Sequence, residues 1–105
     1  MQVLKLADDL FVKLRSGDKV CTIRKGRRDV GLGGLQFEGA QDGSLKERVF
    51  ITSVTFTTLG SVPTETLESD GFRDHADALE QMKRFYPDIR FDTEVTVVNF
   101  FRDGE

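Results

Sequence analysis

Gly17-Asp18-Lys19-Val20-Cys21-Thr22-Ile23-Arg24-Lys25-Gly26-Arg27-Arg28 gathers five cations around one hydroxyl within twelve residues. Such a stretch can grip a phosphate or polarise a carbonyl. Read as a strand from Val20 to Arg24, it alternates its side chains between two faces, with Val20, Thr22 and Arg24 on one and Cys21 and Ile23 on the other. The Thr22 hydroxyl and the Arg24 guanidinium then lie side by side. Gly17 and Gly26 bracket the segment, and glycine permits the sharp turns that a short strand displayed between two loops requires. A solvated basic edge strand is the competing reading, since exposed cations also protect sheet edges from aggregation.

Upstream of this stretch, Leu6, Leu10 and Leu14 recur at every fourth position with Phe11 beside them. The spacing predicts a helix over about residues 7–16, with Gly17 where a C-terminal cap belongs. Downstream, Gly31 to Gly34 leads into Leu35-Gln36-Phe37. No Gly-Lys-Ser/Thr follows these glycines, so a turn between strands is favoured over a phosphate loop. Asp42-Gly43 marks a hairpin turn. Arg48 to Leu59, rich in Val, Ile, Phe and Thr, reads as a long strand with one buried and one wet face.

Residues 64–71 read as a loop or short turn. Phe72, Ala76, Leu79, Met82 and Phe85/Tyr86 then mark a helix face ended by Pro87. Asp70 is placed near that helix's N-terminus, where a carboxylate complements the free N–H groups and the dipole. His75 is expected on the exposed side. The final strand, Glu94 to Phe101, is apolar on both faces and is expected to be interior to the sheet. Four or five strands and two helices in one short chain are best served by a small, nearly closed barrel flanked by the helices.

The 105 residues suffice for one domain, 1–105, and not for separate catalytic and binding domains. Nine Phe and no Trp direct the aromatics to packing. The formal net charge of -3 argues against a protein that coats DNA or RNA nonspecifically. Residues 1–28 nevertheless carry eight basic and three acidic side chains (+5), against seven and fifteen (-8) in 29–105. This local positive field suits a pocket for one nucleotide or small anion. The single cysteine, Cys21, excludes an internal disulfide and fits a reducing compartment. With neither a signal-peptide pattern nor a membrane-length apolar run, a soluble cytoplasmic protein is expected. One His and one Cys far apart give no metal-ligand spacing, and no cofactor is expected.

These motifs together resemble the ASCH domain, a small α+β barrel related to the PUA fold of RNA-modifying enzymes. The resemblance is carried by Lys19-x-x-Thr22-Ile23-Arg24-x-Gly26-x-Arg28, Leu35-x-Phe37, Asp70-Gly71-Phe72, Phe85-Tyr86-Pro87 and the terminal strand. It implies a PUA-like barrel of about five to six strands flanked by two helices, with a cleft facing the basic strand that binds a modified nucleoside or RNA. Some short members hydrolyse N4-acetylcytidine with a Lys and a Thr spaced as Lys19 and Thr22 are, together with a Glu. Asp70 stands where that Glu is expected, and Glu68 is a second candidate.

Carried over in this way, Thr22 is the nucleophile, Lys19 its base and Asp70 the carboxylate that holds the ammonium or returns a proton to the leaving amine. Arg24, Lys25, Arg27, Arg28 and Glu68 are the expected substrate or RNA contacts. Burial and neighbouring cations are expected to free Lys19 of its proton. Cys21 is disfavoured as nucleophile because alternation points it away from Thr22. Competing readings are a noncatalytic RNA-binding module, a ribonuclease using the same cleft, which a lone His75 serves poorly, and an interaction protein that uses the barrel as a scaffold.

Overall fold

Residues 46–58, dense in Val, Ile, Phe and Thr, form the longest strand of the computed structural model, which describes residues 1–102. The strands are β1 (Gln2–Leu6), β2 (Cys21–Lys25), β3 (Gly33–Gly39), β4 (Lys46–Thr58) and β5 (Glu94–Arg102). The helices are α1 (Phe11–Ser16), α2 (Thr64–Asp70) and α3 (His75–Met82), with short 3-10 turns at Asp8–Leu10 and Leu59–Ser61. One sheet takes the order β1-β3-β4-β5-β2. β1 lies parallel to β3, and every other pairing is antiparallel.

The expected barrel is realised as a curled half-barrel whose outer strands are β1 and β2. A register shift between Ile51 and Ser53 on β4 sets Thr52 out of the ladder with β5. An extra residue of this kind bends the strand and deepens its twist, which curls the sheet. Both faces of β5 are buried, as its apolar run predicts. Val95 and Val97 join Cys21, Ile23, Leu59, Leu67, Ala78 and Met82 beneath α2 and α3. Val98 and Phe100 join Leu6, Phe11, Leu14, Leu35 and Phe37 on the α1 side.

Several expectations are corrected. Leu6 ends a strand that the every-fourth leucine pattern concealed, and only Leu10 and Leu14 belong to the helical stretch. Thr64–Asp70 is the helix α2 and not a loop or short turn: Pro63 stands at its N-cap, Leu67 buries against the core, and Gly71 caps its end. α3 starts at His75, so its buried positions are Asp77, Ala78 and Met82, and Ala76 faces solvent. His75 is half-buried, and its Nε2 lies 2.7 Å from the Val62 carbonyl. The aromatics are not all core: Phe56, Phe85, Phe91 and Phe101 are exposed. Arg27 shields the first at 3.8 Å and Arg84 the second at 4.9 Å, which keeps apolar rings tolerable at the surface.

No described helix is long and apolar enough to cross a membrane. Phe37 is fully buried and packs edge-on against Phe100 at 5.3 Å, where β3 meets the curl of β5. Phe37→Ala is expected to cost about 3 to 5 kcal/mol in urea unfolding. A loss below about 1 kcal/mol would show that the ring is not part of a close-packed interior.

Candidate functional site

The site is built where α1 hands the chain to β2. Gly17 closes α1 in the left-handed conformation (φ 86°), and its N–H donates to the Leu14 carbonyl. The next turn is tied down twice: Lys19 N donates to the Lys13 carbonyl at 3.1 Å, and Val20 N to the Ser69 carbonyl of α2 at 3.1 Å. From there the strand alternates as its sequence predicts. Cys21 and Ile23 enter the core, and Thr22 and Arg24 line a cavity of about 250 Å³.

Lys19 is buried at 2% exposure, and its Nζ donates to Asp70 Oδ1 and, at 2.8 Å, to the Cys21 carbonyl. The other Asp70 oxygen, Oδ2, accepts from Ile23 N at 3.1 Å. Asp70 is the last residue of α2, with Gly71 behind it in the left-handed conformation (φ 101°). The expected place at a helix N-terminus is therefore corrected: Asp74 is the N-cap of α3 and accepts from Asp77 N, whereas Asp70 sits at the negative end of a dipole. Burial pushes the Asp70 carboxyl above its ordinary 3.8, against the opposing pull of Lys19, the Ile23 N–H and Arg24.

Arg24 is held by three neighbours. Its Nε donates to Thr22 Oγ1 at 3.1 Å, its Nη1 donates to the Lys5 carbonyl of β1 at 2.7 Å, and its guanidinium lies 6.0 Å over the Phe37 ring. Among the described residues, Arg24 Nη2 is the one buried side-chain nitrogen or oxygen without a hydrogen-bond partner. Burial pulls the guanidinium below its ordinary value, yet an arginine there still carries its charge. A charged N–H pair thus stands idle beside the Thr22 hydroxyl.

Around this polar floor the walls are apolar, from Leu6, Leu10, Phe72, Met82, Phe85 and Tyr86, and the exposed cations Lys5, Lys13 and Arg84 stand at the rim. Of the residues read from the sequence, Lys19, Thr22, Arg24 and Asp70 converge here. Lys25, Arg27, Arg28 and Glu68 do not line the cavity. Lys25 points to the opposite face and pairs with Asp88 at 2.7 Å. Arg27 pairs with Glu94 at 3.6 Å. The Arg28 side chain bonds the Lys25 carbonyl and, at 3.5 Å, the Tyr86 hydroxyl. Glu68 is solvent-exposed on α2.

Sequence reasoning missed Lys5, Lys13 and Arg84, which look like ordinary exposed cations until the fold gathers them. Phe72 and Tyr86 were read as a helix face and as parts of the ASCH-like motifs, not as cavity walls. Cys21 is fully buried with its thiol pushed up to about 12, chiefly by burial, so it is a poor nucleophile. Among the described residues no three His, Cys, Asp or Glu side chains gather as metal ligands do.

The native Asp70 carboxyl binds its proton more tightly than the unfolded one. Its contribution to stability is therefore complete below pH 3.8 and is lost as pH rises through the raised native value. Asparagine has one acceptor where Asp70 uses two, so Asp70→Asn sets an NH2 group against either Lys19 Nζ or the Ile23 N–H and leaves the buried ammonium without its carboxylate. The variant is therefore expected to unfold at lower urea than the native chain at pH 7, by roughly 3 to 5 kcal/mol. Equal or greater stability of the variant at pH 7 contradicts this reading.

No protein-family model matches the chain, and no curated protein does. Solved structures do match. The ASCH domain from Lactobacillus crispatus JV V101 superposes with a TM-score of 0.71 at 18% identity, over 96% of this chain and 79% of that one. The hypothetical protein PH0355 gives 0.72 at 14% identity, over 96% and 97%. A variant of the Zymomonas mobilis ASCH protein gives 0.68 at 10% identity, over 94% and 67%. The curled five-stranded sheet with three helices packed on it is the ASCH-domain fold.

Proposed function

We propose that this chain is an amidohydrolase that converts an N4-acylated cytidine, N4-acetylcytidine in the simplest case, to cytidine and the free acid. The observation that carries the reading is the convergence of Lys19, Thr22, Arg24 and Asp70 on the floor of one apolar-walled cavity. Amide hydrolysis needs a nucleophile, a base and a donor for the developing oxyanion, and these side chains can fill all three roles.

Thr22 Oγ1 accepts from Arg24 Nε, which directs its own proton away from the guanidinium and favours the alkoxide as it forms. Lys19 takes that proton. The contact that serves this step is the one Lys19 Nζ makes with the Asp70 carboxylate, which is placed to receive the ammonium's own proton first. Moving the shared proton onto Asp70 leaves a free amine. Oγ1 attacks the acyl carbon, the carbonyl pair moves onto oxygen, and the idle Arg24 Nη2 is the donor for that oxyanion. Collapse breaks the bond between the acyl carbon and N4, Lys19 returns its proton to N4, and cytidine leaves. Water then cleaves the Thr22 ester by the same route, releasing the acid. Asp70 stands where related enzymes are expected to have Glu, but it already touches Lys19, so the shorter side chain reaches.

The noncatalytic RNA reading draws less support, because Lys25 and Arg27 are engaged by acids outside the cavity. The ribonuclease reading asks for an acid-base histidine, and His75 is bonded to the Val62 carbonyl outside the cavity lining.

The native chain is expected to release cytidine from N4-acetylcytidine, read by chromatography. Thr22→Ala and Lys19→Ala should each lower kcat by at least about 100-fold with unchanged circular dichroism. Unchanged turnover in both variants would sink the proposal.

A further inference from the structure

We infer that the preferred substrate carries a 5′-phosphate, and that Lys13 at the cavity rim is the residue that grips it. The inference rests on the amidohydrolase reading for the orientation of the ligand and goes beyond it in naming a nucleotide. Five cations line the cavity, Lys5, Lys13, Lys19, Arg24 and Arg84, against the single carboxylate of Asp70. Three are matched by acids: Lys19 by Asp70, Lys5 by Glu38 at 3.3 Å, and Arg84 by Asp9 at 3.4 Å. Arg24 meets only neutral acceptors.

Lys13 forms no ion pair among the described residues, yet its side chain lies along the cavity wall. A Cβ placed on Gly71 would stand 3.6 Å from Lys13 Nζ and 4.0 Å from its Cδ, so the ammonium rests against Gly71, next to Asp70. The Asp70 oxygens are already bonded to Lys19 and the Ile23 N–H. A cation held at the mouth of a concave site without an acid partner selects for an anion.

Ligand chemistry supplies the rest. On the pyrimidine ring the N4 substituent and the N1 glycosidic bond lie opposite one another. An acyl group seated at Thr22 therefore directs the ribose away from the floor and toward the exposed cations of the lining, among which Lys13 is the one without an acid partner. The geometry favours a mononucleotide over an RNA chain. A longer strand needs a continuing track of free cations, whereas Lys25 and Arg27 are paired with Asp88 and Glu94 and the whole chain is acidic.

The test compares kcat/KM of the full chain for N4-acetylcytidine and its 5′-monophosphate, beside calorimetric binding of cytidine, cytidine 5′-monophosphate and a short cytidine oligonucleotide. The phosphate should improve both readouts by about tenfold, as a charge-assisted contact does. Lys13→Gln should erase that preference, Lys13→Arg should keep it, and added salt should shrink it. Equal values for nucleoside and nucleotide, a preference that survives Lys13→Gln, or tighter binding of the oligonucleotide would each overturn the inference. The two readings fail separately. Hydrolysis of both substrates at one rate removes the phosphate site and leaves the amidohydrolase, whereas Lys13-dependent binding of the monophosphate without hydrolysis does the reverse.

Discussion

The buried bond between Lys19 and Asp70 is the constraint on which the site depends. It joins the turn after α1 to the last residue of α2, and Asp70 also receives the Ile23 N–H, so three segments meet at one carboxylate. Removing two charges from water is costly, and in a buried pair that cost can exceed the attraction. Here burial outweighs the partners, since the Asp70 carboxyl is driven upward despite Lys19. The pair therefore supplies position more than stability. A chain folding for stability alone would gain by filling this place with apolar side chains; the retention of both charges beside a cavity is what a site with chemistry to perform looks like.

Arg24 is the second constraint, and it explains why an open sheet can hold a cavity at all. β1 and β2 are the outer strands and share no ladder. The guanidinium crosses between them, from the Thr22 hydroxyl on β2 to the Lys5 carbonyl on β1. One side chain thus draws the two edges toward each other across the curl and leaves its remaining donor inside. The bulge at Thr52 bends β4, and Phe37 supports the guanidinium from β3. The floor is tied together by bonds among β2, the turn before it and the end of α2, and the rim is formed by exposed side chains of β1, α1 and the segment after α3.

Much of this was legible in the sequence, and the reasons are specific. Alternation alone separated Thr22 and Arg24 from Cys21 and Ile23, because a period of two leaves a strand no other choice. The apolar run of β5 announced burial on both faces. What escaped was set by tertiary context. β1 was hidden because Leu6 falls in phase with Leu10 and Leu14, and α2 because its seven residues bury little beyond Leu67 and Asp70. Misreading α2 also misplaced Asp70, which looks like a helix start only if no helix precedes it. The five cations of the opening motif were not one patch: alternation and the turn at Gly26 divide them, and Lys13 and Arg84 take the rim from distant parts of the chain.

The central claim is that Thr22 attacks an acyl group from the floor of this cavity. Mass spectrometry of the chain quenched during turnover of N4-acetylcytidine tests it most directly. The account predicts one added acetyl group, located on Thr22 as an ester that is lost on standing. Turnover with the acetyl group on another residue, or an absence of turnover altogether, would contradict it.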